Sequence, residues 1–322
     1  MKKIDRSLRL LKAAFAVLFR EKKLLLFPII ATGLALVVAL FFIIPIALYP
    51  NGQPLLSSAH WSVLGHELAQ NLTPSVAGHK PGGQTITPQS ANPMFFSDAG
   101  WLAPICVLLY FTSMFLATFA NVAFYHEIMQ ALNGQPVSIR RGFRFAATRW
   151  RAILMWSLFA GLVGYLLQAI EARLGFLGRI FTGLLGFMWS VACVFVIPTL
   201  IREEKTTDPL KLLRGSAGTL KRGWGELVIG FVGLEMASGL LLLAAISAGA
   251  LLTLIVCLCF HWTAWLIVPV IIMEFVLLLP LLGLLGSVVN PVYRCALYIY
   301  ATEGVVPGTF DKELLDSAWK VK

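Results

Sequence analysis

Residues 24–48 read LLLFPIIATGLALVVALFFIIPIAL, an unbroken apolar run without a charge. A helix that crosses a bilayer needs ~20 apolar residues at ~1.5 Å rise each, so this run is long enough. Working outward, runs of the same character occupy 101–125, 152–170, 180–201, 226–258 and 263–286. Composition agrees: 58% of the chain is hydrophobic and 13% charged, against roughly 45–50% and about 25% in soluble domains. Lipid, not water, is the solvent this sequence is built for, and a water-soluble fold is excluded.

The net charge of +10 sits in clusters beside the apolar runs, which is the pattern that orients a membrane protein and not one that binds nucleic acid. Residues 1–23 are too long and too charged for the head of a cleavable signal. They read as a basic amphipathic helix, with Ile4, Leu8, Leu11, Phe15 and Leu18 on one face and Arg6, Arg9 and Arg20 roughly opposite. Such a helix is expected along the cytoplasmic membrane surface, cations towards anionic headgroups. Residues 49–100 are polar, with Lys80 as their one Lys or Arg, as a translocated outer loop should be. Short helices are expected near 58–71 and a flexible stretch near 73–93.

Basic loops return at Arg140, Arg141, Arg144, Arg149 and Arg151, and at Arg202, Lys205, Lys211, Arg214, Lys221 and Arg222. Between the third and fourth spans lies a short outer turn at 171–179, EARLGFLGR, and Phe260-His261-Trp262 is a plausible outer turn between the last two. Residues 287–300 continue the sixth span inwards, and 301–322 form a cytoplasmic tail whose end reads as a short helix capped by Asp311. Three spans would also fit within 226–300, which would put the tail outside. An internal pattern favours an even count. Arg141-Gly142 precedes Arg149-Trp150 and the third span; Arg214-Gly215 precedes Arg222-Gly223-Trp224 and the fifth; the N-terminal helix precedes the first. The reading is one integral membrane domain over 1–322: an all-α polytopic bundle, six transmembrane helices as three hairpins, each preceded by a basic amphipathic interfacial helix, with both termini cytoplasmic.

Three stretches then carry a family likeness: RSLRLLKAAFAVLFREKKLLLFP at the start, VIPTLIREEKTTDPLKLLRGSAGTLKRGWGELVIGFVGL in the middle, and YRCALYIYATEGVVPGTFDKELLDSAW at the end. The chain resembles a bacterial membrane family, domain of unknown function 6159. The resemblance implies a six-span inner-membrane protein. It carries no established activity and therefore no site residues.

The candidate chemistry is sparse. Glu235 and Glu274 fall near the middle of their spans, where a charge costs ~2.5–3.5 kcal/mol on insertion scales. They form a candidate proton or ion site; the bland alternative is a protonated carboxyl hydrogen-bonded for packing. Arg6, Arg9, Arg140, Arg141, Arg144, Arg214, Lys221 and Arg222 are candidate contacts to lipid headgroups, beside their simpler role in orientation. His126-Glu127-x-x-Gln130 and His66-Glu67-x-x-Gln70 lack the second His that a zinc helix needs. His60, His66 and His79 share the outer loop without a completing ligand. The cysteines 106, 193, 257, 259 and 295 read as small packing residues. GhhG tetrads (h for apolar) at 161–164, 175–178, 183–186, 230–233 and 283–286 are expected to let helices approach closely. No GxSxG, P-loop, HExxH or dinucleotide fingerprint occurs, so no enzyme, cofactor or metal is expected. Two function classes remain: a structural or accessory protein that organises lipid, a membrane-protein partner or a second copy of itself, and a small-solute or ion channel or transporter with a midplane glutamate in its path.

Overall fold

The computed structural model describes residues 3–47, 54, 57–72, 102–203, 206–221, 264–308 and 310, with isolated helical positions between 239 and 255. All regular structure among them is helical. Helix α1, Lys3–Arg20, leads through a 3-10 turn at Lys22–Leu25 into α2, Leu26–Ala47; then follow α3, Ser58–Leu72, α4, Leu102–Leu132, α5, Ile139–Thr148, α6, Trp150–Ala192, α7, Val196–Arg202, α8, Pro209–Lys221, and α9, Ala264–Glu303. Four described stretches are long and apolar enough to cross a bilayer: Lys22–Ile44, Pro104–Leu132, Trp150–Glu171 and Ile180–Arg202. Side chains such as Leu36, Phe41, Tyr165 and Leu184 point outwards from them, each more than half exposed. Leaving them in water would forgo ~25 cal/mol for each Å² that hydrocarbon could cover. The expected turn at 260–262, the flexible stretch at 73–93, the tail helix from Asp311 and nearly all of the expected span at 226–258 lie outside the described residues.

The chain forms two compact units. The smaller, Thr32–Ala117, contains the helix expected near 58–71, which is α3. Ser57 opens it, its hydroxyl accepting the His60 backbone N–H at 3.2 Å. His60 is buried, edge-on to Trp61 at 5.4 Å, and His66 is exposed.

The larger unit, Met1–Ala31 with Thr118–Lys322, holds the core. Its centre is two helix ends: Val122–Met129 of α4, buried on every side, and Val288–Ile299 of α9, where Val288, Val292, Tyr293, Cys295, Ala296 and Leu297 are wholly covered. Helix α1 packs its apolar face on α9. That face is Leu10, Leu11, Ala14, Val17 and Leu18, rotated from the stripe expected on the sequence: Phe15 is half-buried because α9 and not the bilayer is the partner. Phe27 at the head of α2 lies between Phe124 of α4 and Phe143 of α5, centroids 5.5 and 5.8 Å away.

Helix α6 holds a reversal. Trp156 and Trp189 stack at 6.1 Å, and Phe159 lies 5.8 Å from Trp189. Straight helix would hold residues so far apart in sequence about 50 Å from each other, so the chain doubles back between them. The span expected over 180–201 is interrupted: α6 stops at Ala192 and α7 starts at Val196. Ser216 of α8 accounts for the break. Its buried hydroxyl donates to the Ala192 carbonyl at 2.6 Å and accepts the Phe195 N–H at 3.1 Å, replacing ladder bonds at the bend.

At two of the GhhG tetrads, 183–186 and 283–286, no close approach is seen among the described residues. A methyl group added at Gly183, Gly186, Gly283 or Gly286 would meet no described atom within 4 Å, so these four stand clear of any described helix. Gly142 of α5 is tight: its Cβ would lie 2.8 Å from the Ala123 carbonyl oxygen and 2.9 Å from Glu127 Cγ. Gly215 of α8 faces Thr199 Cγ2 at 3.1 Å and Glu203 Oε1 at 3.4 Å. Gly142→Ala should therefore destabilise the purified protein by about 1–3 kcal/mol, as overpacking does, while Gly183→Ala leaves it no less stable. Thermal unfolding in detergent measures both, and equal behaviour of the two variants would contradict this packing.

Candidate functional site

The strongest polar feature among the described residues is Glu127, near the end of α4. An unpaired carboxylate in such a place would be very costly, and its side chain is fully buried. Arg141 donates to it twice, Nε to Oε1 at 2.8 Å and Nη2 to Oε2 at 2.7 Å. The Ser138 backbone N–H donates to Oε2 at 2.7 Å, and His126 Nδ1 lies 3.1 Å from Oε1. An ionised carboxylate only accepts, so a neutral His126 carries its proton on Nδ1. The two-pronged guanidinium matches the carboxylate plane, and the carboxylate in turn holds the Arg141 pKa above its ordinary value.

Local sequence builds this arrangement. Gly134, at φ +80°, lets the chain leave α4: its N–H donates to the Ala131 carbonyl and the Gln135 N–H to that of Gln130, a glycine-closed helix end. The returning loop is held by Glu21, which accepts the Val137 N–H at 3.3 Å, and by Arg141, which donates to the Pro136 carbonyl at 2.8 Å. Ser138 then caps α5, accepting the Arg141 N–H. Gly142 lets α5 come close enough for Arg141 to reach Glu127.

Two more arginines close neighbouring helix ends. Arg20 of α1 donates to the Ala131 carbonyl at 2.6 Å. Arg149, between α5 and α6, donates to the Leu200 carbonyl at 2.9 Å and to that of Glu203. Arg202 pairs with Glu303, joining α7 to α9. Beside them a cleft of about 190 Å³ opens between α4, α5 and α7.

The residues singled out on the sequence have different fates. Glu235 and Arg222 lie outside the described residues; Glu274 and Arg6 fall in helices α9 and α1, and their side chains are not among the described ones. Arg9, Arg140, Arg144, Arg214 and Lys221 are exposed. Arg141 is instead committed to Glu127. Glu127 itself was legible only as half of an incomplete zinc motif. The available signal was a Glu inside VAFYHEIMQAL, one loop before an Arg-Gly pair. Cys106, Cys193 and Cys295 are free thiols, and among the described residues no three His, Cys, Asp or Glu converge as metal ligands would.

These helices define an all-helical protein with four described stretches able to cross a membrane. The model of a family of unknown function (DUF6159) matches residues 102–308, so the chain belongs to that family. No curated protein and no solved structure matches it.

The ion pair makes an asymmetric prediction. Arg141 is partly exposed and can turn to water, whereas Glu127 cannot. Arg141→Met should therefore cost about 3–5 kcal/mol, the range for a buried charge stripped of its partner, and Glu127→Gln distinctly less. The double variant should recover part of the loss. Denaturation of the three proteins in one detergent tests the order, and a Glu127→Gln more damaging than Arg141→Met would refute it.

Proposed function

We propose that the chain is a non-enzymatic integral protein of the bacterial inner membrane, threaded six times as three hairpins with both termini in the cytosol, and that it organises anionic phospholipid around itself. One observation carries the reading. Each of the three basic helices turns a small or apolar face into the protein and, apart from Arg20 and Arg141, its described cations outwards. Helix α1 buries Leu10, Ala14 and Val17 and exposes Arg9 and Lys12; α5 buries Gly142 and Ala146 and exposes Arg140 and Arg144; α8 buries Leu212, Ser216 and Leu220 and exposes Lys211, Arg214 and Lys221. Among the described residues their outward side chains are mainly cationic, with Phe19 of α1 and Leu210 of α8 also exposed. Their outward chemistry is charge, which attracts anionic headgroups at ~1 kcal/mol per cation near the surface. The same collar would suit the acidic face of a membrane-protein partner or of a second copy.

The test is lipid enrichment. Protein extracted from mixed phosphatidylglycerol and phosphatidylethanolamine membranes should retain phosphatidylglycerol in excess of its bulk fraction, as read by native mass spectrometry. Replacing Arg140, Arg144, Lys211 and Arg214 together by Gln should abolish most of that excess with little change in thermal stability. Equal enrichment in both proteins would overturn the reading. A carboxyl-terminal reporter active only in the periplasm would overturn the threading.

A further inference from the structure

The cleft between α4, α5 and α7 has the chemistry of a binding site. Its α4 wall is His126, Met129, Gln130 and Asn133, spaced so that all four lie on one helical face. Arg202 and Ile201 of α7 and Phe145 of α5 complete it.

Arg202 offers donors only, the Gln130 and Asn133 amides each a donor and an acceptor, and His126 an Nε2 that accepts when the ring is neutral and donates when it is protonated. The Nδ1 proton of His126 is directed at Glu127, and its ring is fixed by stacking on Phe145, centroids 4.1 Å apart and planes 17° apart. This leaves Nε2 with no protein hydrogen bond among the described residues. The Gln130 and Asn133 amides likewise have no described side-chain partner, and Arg202 has only Glu303. No carboxylate lines the wall, and Glu127 behind it is already matched by Arg141.

The C-terminal ends of α4 and α7 adjoin the cleft and would by themselves repel an anion. Both are already capped by guanidinium groups, Arg20 on Ala131 and Arg149 on Leu200 and Glu203. The negative charge of these helix ends is thus offset, and Arg202, shared with Glu303, is the cation that lines the cleft. A phosphate group, with several acceptor oxygens, suits a planar guanidinium together with two amides and an imidazole that can donate to P–O⁻ or accept from P–OH. Met129, Ile201 and Phe145 supply an apolar side that inorganic phosphate would not need.

We propose that this cleft binds a phosphate ester, held by Arg202, His126, Gln130 and Asn133. The ester could be a phospholipid headgroup or a soluble phosphomonoester, since the phosphate chemistry is shared. The site uses none of the outward cations of α1, α5 and α8, so it stands or fails separately from the lipid-organising role.

The experiment is titration of the full-length protein in neutral detergent, with ¹⁵N-histidine resonances as readout. His126 is assigned by the loss of its signal in His126→Phe, which keeps a ring against Phe145. Inorganic phosphate, glycerol 3-phosphate and phosphatidylglycerol in mixed micelles are added separately. Saturable shifts of the His126 Nε2 signal with glycerol 3-phosphate indicate a soluble ligand; shifts with phosphatidylglycerol alone indicate a headgroup; either supports the site. Affinity should fall at least tenfold in Arg202→Gln and in His126→Phe, as followed by ³¹P line broadening, and rise in Glu303→Gln, which releases Arg202. Thermal unfolding confirms that each variant is folded. No saturable shift with any of the three ligands, or binding that survives both losses, would overturn the proposal.

Discussion

A helix end has four carbonyls without partners inside the helix, and their combined dipole leaves that end negative. Beside hydrocarbon, water is not available to settle this. The larger unit of this protein brings several such ends together and settles them with arginine. Arg20 reaches from α1 to α4, and Arg149 reaches from the α5–α6 junction to α7. Each guanidinium comes from a basic helix or its end and closes a helix belonging to a different part of the chain. The cations that the sequence shows as clusters for orientation are thus divided. Some are consumed inside as caps, and the others are left on the outside as a charged collar.

Glu127 belongs to the same economy of charge. A buried carboxylate is tolerated because its acceptor sites are filled by Arg141, Ser138 and His126. In return it fixes where α5 starts, how the loop from Gly134 to Ser138 runs, and which nitrogen of His126 carries the proton. The contact needs α5 against α4 at a distance only glycine allows. A steric fact at Gly142, an electrostatic one at Glu127 and the tautomer of His126 are therefore one arrangement seen from three residues.

The apolar membrane-length helices, the all-helical fold and the basic helices were legible because each rests on a local pattern: an apolar run or a helical period. What was not legible depends on partners distant in sequence. The apolar stripe of α1 was read against a flat membrane and is rotated because α9 covers it. The break at 193–195 is made by Ser216, which no local pattern links to Ala192. GhhG spacing pointed to glycines that meet no described neighbour at 183–186 and 283–286, whereas Gly142 and Gly215 make close contacts from single positions beside an arginine. The candidate glutamates were sought at mid-span, where a charge is conspicuous. The Glu that the structure engages lies at a helix end, where a charge attracts no notice.

The Arg-Gly repeat gains a physical meaning from those two glycines. Gly142 sits over Ala123 and Glu127, and Gly215 over Thr199 and Glu203: in both cases a helical turn of the preceding element, entered at i and i+4 and ending in glutamate. The spacing of the contacted residues is the same in both copies, but Gly142 meets a backbone oxygen where Gly215 meets only side-chain atoms, and the charges differ too. Glu127 is buried and bound by the arginine next to its glycine. Glu203 is exposed, and Arg214 beside Gly215 has no described partner and faces outwards. Packing requires the glycine in each copy, while only the first copy turns its arginine inwards and its histidine to a cleft. The repeat is therefore alike in placement and divided in chemistry.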